Sequence, residues 1–176
     1  NLPNDISVVD LDRVEDSFHS RFDAIDRTYS YLIFNSSSRN VLLDDFYYWE
    51  QAELDINKMN EESKCLIGKH DFTSFRSLSC GSNNPERNVK KIEINKLGNI
   101  IEIKITANAF LQNMVRIIVG TLLEIGKYQI KISLKEILES KDRNKAGTTI
   151  NPRGLIFLGP SYENITKLKP EKSPLI

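Results

Sequence analysis

The sequence predicts an α+β fold, an antiparallel or mixed sheet with helices packed on one face. Two observations carry that reading. Residues 89–107 alternate apolar and polar side chains on both sides of a Leu97-Gly98-Asn99 turn, the pattern of a half-buried hairpin. Residues 110–126, FLQNMVRIIVGTLLEIG, then supply an almost wholly apolar helix that can cover the hairpin's isoleucine face.

The remaining elements follow in chain order. ISVVDL at 6–11 reads as a short strand. RTYSYLIF at 27–34 carries bulk on both faces, Tyr29, Tyr31 and Ile33 against Leu32 and Phe34, and reads as a strand covered on both sides. NSSSR at 35–39 breaks it, and Phe46 to Trp49 reads as a brief strand or an aromatic cover. Asp55 is an expected N-cap for a helix whose stripe is Ile56, Met59, Ser63, Leu66 and Ile67, ending at Gly68. A short segment and a long polar loop rich in Ser, Asn, Gly and Pro lead into the hairpin. There Ile92, Ile94, Ile101, Ile103 and Ile105 point inward, with Lys91, Glu93, Asn95, Glu102, Lys104 and Thr106 on a wet face.

Within 110–126, Gly120 is unfavourable by about 1 kcal/mol relative to alanine, which implies that another element approaches closely there. Ser133 and Glu136 form a capping box for a helix at 133–140. A last strand spans 154–158 after a loop. One domain is expected over 1–160, followed by a polar tail at 161–176.

Composition excludes several function classes. No apolar run approaches the roughly 20 residues that span a bilayer, and the start has no secretory signal. It also has no initiator methionine and reads as a piece of a longer chain. Cys65 and Cys80 show no metal-ligand spacing, and His19 and His70 are the only histidines, so no metal site is expected. Phosphate-binding glycine motifs are absent. A cytoplasmic location fits this cysteine usage. The net charge is zero, yet residues 1–62 hold 14 acidic and 5 basic side chains while 63–131 hold 11 basic and 5 acidic. A basic middle can form a face that attracts RNA, or the two signs can simply mark two solvated faces.

Arg116 is the most informative residue. Set among large apolar side chains, its guanidinium either snorkels to the helix edge or is aimed into a site, with Asn108, Gln112 and Asn113 available to complete a polar patch. Tyr29 and Tyr31 are core filler or a stacking platform for a base. Arg76, Arg87, Lys90 and Lys91 are possible RNA contacts or solvated charge. Asp23, Asp26 and Asp71 are acids in polar turns or at strand edges, and none is marked as a nucleophile.

NAFLQNMVRIIVGTLLEIG at 108–126 resembles the signature helix of TruA-type tRNA pseudouridine synthases. FHSRFDAIDRTYSYLI at 18–33, KHDFTSFR at 69–76, PERNVKKIEI at 85–94 and KDRNKAGTTINPRGLIFL at 141–158 agree in order and spacing. The resemblance implies a pseudouridine synthase-like fold and isomerisation of uridine in the tRNA anticodon stem-loop, with no cofactor and no metal. It implies a homodimer with tRNA as partner. By the same resemblance Tyr29 stacks on the target base, Arg116 pairs with a catalytic aspartate, and Leu155 lines the base pocket. That aspartate belongs to a G-R-T-D motif that these residues do not contain. The chain alone is therefore expected to be inactive. The alternative is a noncatalytic RNA-binding or interaction domain.

Overall fold

Ten residues, Asp26–Asn35, form the strand from which the sheet grows (β1) in a computed structural model that describes residues 2–163. Along one edge β1 pairs antiparallel with Ile100–Ala107 (β5), which pairs with Glu86–Leu97 (β4), which in turn carries Gly68–Asp71 (β3). The other edge of β1 is shared. Leu155–Ser161 (β6) runs antiparallel along its first half, and Tyr48–Glu50 (β2) runs parallel to its last three residues. The sheet is mixed, six-stranded and mostly antiparallel.

Ile56–Ser63 (α1), Met114–Gly126 (α2) and Leu134–Ser140 (α3) complete the α+β architecture. The buried side chains of α2 share one core with Tyr31, Ile33, Ile94, Ile101, Ile103 and Ile105, so the hairpin's isoleucine face is covered by the apolar helix that follows it. Burying each such side chain is worth roughly 1.5–3 kcal/mol, and this layer dominates the fold. Asp55 caps α1 by accepting from the Lys58 N–H at 2.9 Å, and Ser133 with Glu136 forms the capping box of α3. As expected, β1 is covered on both faces: Ser30, Tyr31, Leu32 and Ile33 are all buried.

Several local expectations are corrected. Residues 6–11 form no strand; Val8, Val9 and Leu11 are exposed, because strand-favouring residues make a strand only where an edge pairs with them. The central helix starts at Met114, not at 110. Phe110 and Leu111 continue the helical spacing, but Asn113 takes a left-handed conformation at φ 61° and forces the helix to begin after it. Ile67 lies outside α1 and is exposed. Glu102 is buried rather than wet: it sits on the central strand β5 and accepts the Ser30 hydroxyl at 2.7 Å. The last strand runs on to Ser161, and Tyr162 donates its hydroxyl to the Ser20 carbonyl, so the expected tail does not begin at 161. Its remainder, 164–176, lies outside the described residues.

Gly120 is explained by the loop after α3. A Cβ there would overlap the carbonyl oxygen of Thr148, and a Cβ on Gly147 would lie 2.7 Å from the Thr121 Cα. Loop and helix therefore meet backbone to backbone. The Thr121 hydroxyl accepts the Gly147 N–H at 2.9 Å, and Glu124 accepts the Thr148 N–H at 2.8 Å. Arg143 holds the same loop through the carbonyls of Ala146 and Gly147 and the hydroxyl of Thr149. This clamp fixes the path of the chain into Ile150 and Asn151.

Candidate active site

β1 and β6 set out an aromatic row on the helix-covered face. Tyr29 stands opposite Phe157, and Tyr31 opposite Leu155. Tyr29 is half-buried, edge-on to Phe110 with ring centroids 5.1 Å apart, and 4.9 Å from Phe157 in a tilted arrangement. Burial pushes its phenol above the ordinary tyrosine range, with the Arg27 charge pulling the other way, so Tyr29 is protonated at neutral pH. Phe157 is about half exposed, which leaves this row an apolar opening to solvent. Leu155 is half-buried and packs against the core beside it.

Tyr31 is different in kind. It is wholly buried, and its hydroxyl donates to the Asn151 carbonyl. Burial raises its pKa far above the ordinary range, opposed by the Arg116 charge nearby. It is a packing residue that locks the 150–154 segment onto β1, where a Cβ on Gly154 would sit 2.9 Å from the Tyr31 ring.

Arg116, in the first turn of α2, points its guanidinium across to the same segment. Its Nε donates to the Ile150 carbonyl at 2.7 Å, and its Nη1 donates to the Asn113 Oδ1 at 3.0 Å. Among the described residues no carboxylate pairs with Arg116, and Nη2 has no hydrogen-bond partner. With two of its three nitrogens fixed and no counter-ion among the described residues, this half-buried guanidinium keeps the capacity to bind an anion.

Of the three polar neighbours expected to complete this patch, only Asn113 does so. Asn108 gives its carbonyl to Arg27 at 2.8 Å and its side-chain oxygen to the Asn88 N–H. Gln112 gives its carbonyl to the Ser77 N–H and its side-chain oxygen to Ser79. The Ile150 carbonyl was not foreseen, and no side-chain pattern signals which main-chain oxygen will face a guanidinium.

The expected acids are engaged elsewhere. Asp23 accepts the His19 N–H, Asp26 is 2.8 Å from the Lys90 ammonium, and Asp71 binds Thr73 and lies 3.0 Å from the Lys141 ammonium. The four basic residues make the following contacts. Arg76 and Arg87 both reach the 82–84 loop, where Arg76 donates to the Ser82 carbonyl and Arg87 to the Asn84 carbonyl. A bulge at Lys90 breaks the strand alternation, so Lys90 pairs with Asp26 while Lys91 pairs with Glu93 at 2.9 Å.

No helix among the described residues is long and apolar enough to cross a membrane. The family model described as tRNA pseudouridine synthase matches residues 63–163, which include α2, the Gly147–Asn151 loop and β6. The chain is 43% identical over 162 residues to "tRNA pseudouridine synthase A" of Francisella tularensis subsp. novicida, covering 92% of this chain and 63% of that protein. It is 44% identical over the same length to the protein of that name from Francisella philomiragia subsp. philomiragia, with the same coverage. The chain thus spans a little under two thirds of these relatives. With its mixed sheet and its arginine-bearing helix, this chain belongs to the tRNA pseudouridine synthase family.

Proposed function

We propose that this chain forms one wall of a tRNA uridine-isomerising site. In that site the target base stacks on Tyr29, Leu155 closes the pocket, and Arg116 pairs with a catalytic aspartate supplied by residues outside these 176. One observation carries the reading. Arg116 is held at Nε and Nη1 with no carboxylate partner among the described residues, next to an aromatic row that opens to solvent at Phe157. No G-R-T-D motif occurs in the sequence, and the three candidate aspartates are occupied by other partners.

The reaction conserves every atom. The C1′–N1 bond of uridine breaks, the uracil turns, a C1′–C5 bond forms, and the proton lost from C5 is matched by one gained at N1. No oxidant or cofactor enters that balance. The protein's task is to extract the base from its stack, hold it flat, and keep an ionised acid aimed at it. A protonated Tyr29 ring suits the first two requirements, and the fixed Arg116 fork suits the third. The substrate is the anticodon stem-loop of tRNA in the cytoplasm, bound by a homodimer of the full-length polypeptide.

The test is pseudouridine formation on tRNA, comparing this 176-residue chain with the full-length polypeptide. Turnover is expected only in the latter. Turnover by the 176-residue chain would place the nucleophile among its own acids and overturn the split-site reading. Tyr29→Ala in the full-length polypeptide is expected to remove turnover while keeping one cooperative melt, because the ring is only partly buried. If the melt is lost as well, Tyr29 is core filler and the stacking role falls.

A further inference from the structure

Asn113 breaks two local rules at once. It stands at the N-cap of α2, where an asparagine side chain ordinarily accepts a backbone N–H of the first turn, yet it makes no such bond. Its backbone sits at φ 61°, ψ 10°, a region that disfavours side chains in general and that Asn tolerates better than most. Both departures lead to one outcome. The side chain turns away from the helix, and its Oδ1 accepts Nη1 of Arg116 at 3.0 Å.

From this geometry we infer that Asn113 is the positioning residue for Arg116, an inference that rests on the role proposed for that arginine. The guanidinium has three nitrogens. The Ile150 carbonyl takes Nε from one side and Asn113 takes Nη1 from the other, so the plane of the fork is fixed and Nη2 is left for the incoming carboxylate. With Asn113 removed, a single bond through Nε lets the fork pivot. A displacement of about 1 Å at an aligned catalytic group is enough to lower turnover roughly a hundredfold. Strain concentrated at a site that sacrifices a helix cap is expected where the local conformation serves function rather than stability.

Two substitutions in the full-length polypeptide separate this from a structural role. Asn113→Gly suits the left-handed backbone and removes the whole carboxamide side chain, the Oδ1 that holds Arg116 included. It is expected to melt at or above the wild-type temperature, lower kcat by about ten- to a hundredfold, and leave KM for tRNA within about threefold. Asn113→Asp keeps the shape but gives Arg116 an internal carboxylate that competes with the catalytic one, so it is expected to be the slower enzyme of the two despite a stable fold.

Wild-type turnover in Asn113→Gly would overturn the inference. A loss confined to KM would do so too, making Asn113 an RNA contact, as would losses that track a falling melting temperature. Arg116→Ala serves as the reference: if it leaves turnover intact, the role proposed for Arg116 fails and this inference with it. If Arg116→Ala is damaging and Asn113→Gly is not, only the positioning role fails.

Discussion

Arg116→Ala in the full-length polypeptide is expected to lower turnover about a thousandfold while tRNA affinity changes by less than about threefold. The asymmetry follows from where the guanidinium points. Its Nε and Nη1 are satisfied within the chain by Ile150 and Asn113, and it makes no ion pair with any described residue. On the proposed reading its remaining capacity pairs with one acid in a partly buried setting, where a charge–charge interaction is worth more than in water. An acid held by such a fork stays ionised and aligned; without it the acid's pKa rises and its rotamer is free.

Arg116→Lys is expected to restore little, because an ammonium cannot offer Nε to the Ile150 carbonyl and a second nitrogen to Asn113 in one plane. Steady-state kinetics and filter binding on the same tRNA decide the matter. Equal losses in kcat and affinity would make Arg116 a phosphate contact and sink its pairing with an acid.

The parts of this site that were legible in the sequence are those whose signal is local. Alternation in 89–107 reveals the hairpin because β4 and β5 are neighbours in the chain and share one covered face. Arg116 is conspicuous because a guanidinium among Val115, Ile117 and Ile118 needs a reason to be there. Gly120 likewise signals a close approach, which Thr148 makes.

What was not legible depends on partners distant in the chain or on the backbone. The apolar, β-branched residues of 6–11 suit a strand, but no residue in it shows whether an edge is available. The period through Phe110 and Leu111 hides the left-handed Asn113, whose side chain meets Arg116 instead of capping the helix. Arg87 and Lys90 are three positions apart in β4, yet Lys90 reaches Asp26 on β1 and Arg87 stays at the 82–84 loop. Sequence proximity of like charges says little about which partners they find.

Gly120→Ala is expected to destabilise the fold by about 3 kcal/mol, even after the gain of roughly 1 kcal/mol in helix propensity that alanine brings. The new methyl would overlap the Thr148 carbonyl oxygen, with the Thr148 carbonyl carbon only 3.2 Å away, and both belong to backbone that cannot rotate aside as a side chain would. The loop cannot retreat freely either. Thr121 and Glu124 hold Gly147 and Thr148 to the helix, and Arg143 holds the same turn from behind. For a domain of this size 3 kcal/mol corresponds to a fall in Tm of roughly 6–12 °C. Gly81→Ala is the control, since a Cβ there meets nothing within 4 Å, and its Tm is expected to stay near wild type.

The same substitution reaches the site. Pushing Thr148 outward carries Ile150 with it, two residues on, and Ile150 supplies the carbonyl that orients Arg116 Nε. In the full-length polypeptide, assayed well below its melting temperature, Gly120→Ala is therefore expected to lose turnover in the manner of Asn113→Gly, with kcat falling and KM for tRNA preserved. A variant that is destabilised but fully active when folded would show that the loop can move without disturbing Arg116. The helix–loop contact would then serve stability alone.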